Sequence, residues 1–66
     1  MNKDQLIQLL AQQTKYTMDL DGRLGVDEER RKACDEANST LHLLETKFKL
    51  DPERVYYQVE DIALAM

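Results

Sequence analysis

The sequence predicts an all-α fold: an antiparallel helical hairpin followed by a third, C-terminal helix. Three observations carry this. Gln, Glu, Lys, Leu and Ala dominate the 66 residues, and these are good helix formers. Period-two alternation of apolar and polar residues, the mark of a half-buried strand, is absent. Gly22 with Gly25, and Pro52, cut the chain into three pieces of helical length. A chain this short holds one domain, residues 1–66.

The first helix is expected over about residues 3–20. Asn2 can act as N-cap, with Gln5 three residues on, as in a capping box. Leu6, Ile7, Leu9 and Leu10 form an apolar arc wider than one partner helix can cover. Part of that arc, Leu6 and Leu10, is therefore a candidate contact for another chain. Asp21-Gly22 stops the helix, because glycine adopts the left-handed conformation without strain.

The second helix is expected over about residues 27–50, capped by Asp27, with Glu28 and Glu29 at the positive end of its dipole. Cys34, Ala37, Leu41, Leu44 and Phe48 alternate steps of three and four, the spacing of a packing seam. The third helix is expected over about residues 52–65. Asp51-Pro52-Glu53 is a strong start: cap, proline at the first helical position, acid in the first turn. Val55, Val59, Ile62 and Met66 share one face, and Tyr56 and Ala63 widen it. This helix either folds back into a three-helix bundle or projects to complete a bundle with a second chain. Ordering so short a chain consumes most of what its core returns, so a homodimer is the expected state.

Charge and composition exclude several function classes. The net charge is -4, with 9 Lys and Arg against 13 Asp and Glu. The one basic cluster, Arg30-Arg31-Lys32, is flanked by Asp27, Glu28, Glu29, Asp35 and Glu36, so it offers no stripe for phosphates. Direct nucleic-acid binding is not expected. No run of ~18 apolar residues exists to span a membrane, and the first helix has only Lys3 and Lys15 as cations and no aromatic at its apolar end, which disfavours a membrane-surface helix. One cysteine closes no internal disulfide, which fits a reducing, cytoplasmic setting. Cys34 and His42 lie eight residues apart on one helix, about 12 Å, too far to share a zinc ion. One histidine and no glycine-rich loop argue against catalysis, and no cofactor is expected.

The stretch from Thr17 to Glu28 has the length of a calcium loop. Asp19 and Asp21 fall at its third and fifth positions, Gly22 at the sharp-turn sixth and Glu28 at the bidentate twelfth. In this respect it resembles an EF-hand loop, although Thr17 stands where the first carboxylate belongs. The resemblance implies a calcium-responsive module with Asp19, Asp21 and Glu28 as ligands. The competing reading is a plain hairpin turn.

The leading functional expectation is a non-enzymatic, small acidic protein–protein interaction module: a regulator, adaptor or chaperone-like subunit. By analogy, such proteins are common in bacteria and their phages. The acidity is concentrated past Leu50, where Arg54 stands against Asp51, Glu53, Glu60 and Asp61. Consecutive helical residues point about 100° apart, so Tyr56 can join the apolar face while Tyr57 looks outward. Tyr56, Tyr57, Glu60 and Asp61 are thus the expected contact residues on the third helix, for a partner with a basic face.

Overall fold

A computed structural model describes all residues, 1–66. It contains three α-helices and no strand: α1 (Lys3–Leu20), α2 (Asp27–Lys47) and α3 (Pro52–Ala65). The third helix folds back, giving a three-helix bundle. Its middle member is α1, which packs along both α2 and α3, whereas α2 and α3 meet only sparsely. None of the helices is long and apolar enough to cross a membrane.

Local signals set most boundaries. The Asn2 side chain accepts from the Gln5 N–H at 2.8 Å, and the Gln5 side chain accepts from the Asn2 N–H at 3.0 Å. This capping box satisfies two backbone donors that the first turn leaves free. At the other end, the Asp21 N–H returns to the carbonyls of Thr17 and Met18, and Gly22 follows at φ 85°. Gly25 is also left-handed, at φ 78°.

The start of α2 departs from expectation. Val26, not Asp27, occupies the cap position, and no side chain caps the helix. Asp27 is instead the first helical residue, and with Glu28 and Glu29 it faces the positive end of the dipole. The end of α2 departs more. The helix stops at Lys47 rather than Leu50. The residue before a proline avoids helical backbone, so Asp51 is extended, at φ -71° and ψ 116°. The chain must reverse before it. Lys49 makes that reversal in the left-handed region, at φ 54°, and the Leu50 N–H then reaches back to the Leu44 carbonyl at 3.4 Å. Asp51 caps α3 by accepting from the Glu53 N–H at 3.0 Å.

These three left-handed residues make a paired prediction. Nothing lies within 4 Å of a Cβ built on Gly22 or Gly25, so only backbone strain opposes substitution there. Gly22→Ala and Gly25→Ala should each cost about 1 kcal/mol, and Lys49→Gly should stabilise by a similar amount. Urea unfolding followed by circular dichroism reads both signs. A destabilising Lys49→Gly would contradict the reversal described for this joint.

The core joins Leu6, Ile7, Leu10 and Ala11 of α1 to Leu44 of α2 and to Val55 and Val59 of α3. Leu44 is the one large side chain with no exposure. The seam expected on α2 is rotated by about one residue. Ala33, Thr40 and Leu44 are buried, whereas Cys34, Ala37, Leu41 and Phe48 are half-buried. Thr40 can occupy the interior because its hydroxyl donates to the Glu36 carbonyl at 3.2 Å. On α3 the buried residues are Val55, Val59 and Ala63. Ile62 is half-buried, and Met66 lies beyond the helix and is exposed.

Candidate interaction surface

The start of α3 fixes which way its side chains point. Once Asp51 and Pro52 set the first turn, Val55, Val59 and Ala63 turn inward. At ~100° per residue, Glu53, Tyr57, Asp61 and Leu64 then fall on the opposite arc, with Arg54 beside Asp61, while Tyr56 and Glu60 flank the buried face. Tyr56, Tyr57 and Leu64 are 56%, 59% and 67% exposed. The two tyrosine rings meet edge to face, with centroids 5.9 Å apart and planes at 76°. That arrangement suits the ring quadrupoles and holds the pair as one aromatic unit.

The carboxylates on this face have no cationic partner. The protein's two ion pairs both lie elsewhere, Lys15–Asp19 at 3.5 Å and Arg30–Asp21 at 3.1 Å. Glu53, Glu60 and Asp61 outnumber the one cation of the helix, exposed Arg54, so a net negative charge lies beside three large exposed side chains. Such a face attracts cations from a distance and offers apolar area on arrival.

The structure sorts the expected contact residues into two groups. Tyr57 and Asp61 are exposed, as anticipated. Tyr56 borders the apolar face, where it lines a groove with Leu10 and Leu41, yet it too is more than half exposed. Glu60 is half-buried rather than free. Leu6 and Leu10 are buried in the core and so hold the bundle together. The wide arc on α1 is covered because two helices pack on it. Leu64 belongs to the face and was not anticipated. Its signal was the seven-residue spacing from Tyr57, two turns along the same stripe.

The ligands implied by the EF-hand resemblance do not converge. The first helix runs through Leu20, so Thr17 and Asp19 remain helical instead of opening into a loop. Asp19 is paired with Lys15 and Asp21 with Arg30. Glu28 stands exposed in the first turn of α2. No three His, Cys, Asp or Glu side chains gather closely enough to hold a metal ion.

At the same end of the bundle, Tyr16 of α1 donates its phenolic hydroxyl to the Glu29 carboxylate of α2. That hydrogen bond, with desolvation and the negative charge of Glu29, raises the Tyr16 pKa above its ordinary value. The contact ties the two helices across their joint. No protein-family model matches this chain, and no curated protein and no solved structure is significantly similar to it.

Proposed function

We propose that this protein is a non-enzymatic interaction module, a regulator, adaptor or chaperone-like subunit, that captures a protein partner on the outer face of α3. One observation supports the reading above all. Tyr56, Tyr57 and Leu64 are exposed on a helix where Glu53, Glu60 and Asp61 form no ion pair and outnumber the one cation, Arg54. Exposed aromatics of this kind anchor interfaces. The partner that fits is a basic amphipathic helix, its apolar stripe on Leu64 and the tyrosine rings, its Lys or Arg on Glu53, Glu60 and Asp61. Arginine or lysine can also sit over a tyrosine face. The same charge repels phosphates and anionic lipid, so the reading includes neither direct nucleic-acid nor membrane binding. A reducing, cytoplasmic setting belongs to it, since the single Cys34 is a free thiol.

The test uses two synthetic helical peptides with the same leucine stripe, one carrying lysine at all other positions and one carrying glutamate. Titration calorimetry should detect the lysine peptide only. Its affinity should fall several-fold as salt rises from roughly 50 to roughly 200 mM, because screening shortens the reach of the carboxylates. Equal affinity for both peptides, or none for either, removes the basis of the proposal.

A further inference from the structure

A cleft of about 340 Å³ lies at the foot of the bundle, where the first turns of α1 and α3 meet the joint between α2 and α3. Buried Ile7 and Val55, with half-buried Leu50, form its apolar floor. Lys3, Lys49 and Arg54 line its exposed rim. None of these three takes part in an ion pair, although Asp4 and Asp51 line the same cleft. A chain of net charge -4 thus gathers a third of its cations around one hollow. Lys49 is also the residue held at φ 54°, where glycine would sit without strain. Strained residues of this kind collect at binding sites, where the side chain serves a contact that glycine cannot make.

The lining selects the occupant. Three unpaired cations favour an anion, through charge-assisted hydrogen bonds. A phosphate dianion fits poorly, since Asp4 and Asp51 would repel it. Those carboxylates want donors instead. Asp51 has capacity to spare, because only its Oδ1 is engaged, accepting from the Glu53 N–H. The floor takes an apolar side chain. The C-terminus of a polypeptide presents all three groups within one residue: a carboxylate, an amide N–H and a side chain. Ligand pockets run from about 300 to about 1,000 Å³, so this cleft takes the end of a chain rather than a whole helix.

We propose that the cleft captures the free C-terminus of a partner polypeptide that ends in an apolar residue. Lys3, Lys49 and Arg54 hold the terminal carboxylate. Asp4 and Asp51 accept from the last amide N–H groups, and the last side chain rests on Ile7, Leu50 and Val55. No residue of this site belongs to the tyrosine-bearing face proposed for a basic helix, so either site can fail without the other.

The experiment titrates the whole chain, at roughly 50 mM salt, with an acetylated dileucine peptide that carries either a free carboxylate or a terminal amide. Inorganic phosphate is the third probe. Amide chemical shifts should move at residues 3–7 and 49–55 with the free acid. The amidated peptide and phosphate should each bind at least about ten-fold more weakly, since each lacks part of what the lining recognises. Lys49→Gly should raise the melting temperature yet weaken binding of the free acid several-fold. Equal binding of acid and amide, or binding of neither, overturns the proposal. So does phosphate that binds as tightly as the peptide, because the floor and the two carboxylates then play no part. Shifts confined to other residues, or full affinity in a folded Lys49→Gly, also overturn it. If Lys49→Gly melts below the wild type, Arg54→Gln decides: weaker binding of the acid with helicity kept supports the site, and unchanged affinity overturns it.

Discussion

Leu44→Ala should lower the melting temperature of the protein by at least about 12 °C, the largest stability effect expected of any single truncation. The reasoning starts from burial. Leu44 is fully enclosed, within a cluster that draws Leu6, Ile7, Leu10 and Ala11 from α1 and Val55 and Val59 from α3. Removing a buried leucine side chain loses its transfer free energy and leaves a cavity, together about 3 kcal/mol. Sixty-six residues carry a total stability of roughly 3 to 10 kcal/mol. At about 4 to 8 °C per kcal/mol for a domain this small, the shift is plain in any thermal scan. The same α2 residue also closes its helix, since its carbonyl accepts from the N–H groups of Phe48 and Leu50. Leu41→Ala is the control, because Leu41 is only half-buried and should cost clearly less. Two equal melting shifts would show that α2 does not present the rotated face described above.

Tyr57→Ala combined with Asp61→Lys should weaken binding of the basic peptide by at least about 30-fold, the equivalent of 2 kcal/mol for an interface anchor. Tyr57 is 59% exposed, so its truncation should leave stability within about 0.5 kcal/mol. Asp61 is the better site for charge reversal than Glu60, because Glu60 is half-buried and its replacement would disturb packing. The two changes act on different steps. Losing the ring should speed dissociation, whereas reversing the charge should slow association and flatten the dependence on salt. Surface plasmon resonance separates the two. Rates that match the wild type would take α3 out of the interface.

The elements legible from sequence were those written in a few neighbouring residues. Asn2 with Gln5, Asp21 with Gly22, and Asp51 with Pro52 each close a local hydrogen-bonding problem, and each appears where it was expected. What depends on distant contacts was not legible. The reversal at Lys49 has no glycine to announce it. The rotation of α2 that buries Thr40 arises because its neighbour is α1, and the apolar spacing alone allowed Leu41 instead. Leu6 and Leu10 looked surplus because one partner helix could not cover them, yet the fold supplies two. The candidate surface was half visible. Charge and the tyrosine pair pointed to α3, but the exposure of Tyr56 and Leu64 followed only once Val55, Val59 and Ala63 fixed which side faces inward.

The middle position of α1 has a consequence for how the molecule opens. Each outer helix leans on α1 and hardly on the other. Detaching α3 leaves the α1–α2 hairpin tied by Tyr16 to Glu29 and by Asp21 to Arg30. Detaching α1 leaves no pair of helices in substantial contact. Sub-global openings therefore begin with α3, and the amide protons of α1 exchange with solvent only in the rarest, fully open state. The helix that carries the acidic, tyrosine-bearing face is thus also the helix with the most freedom to adjust its fit.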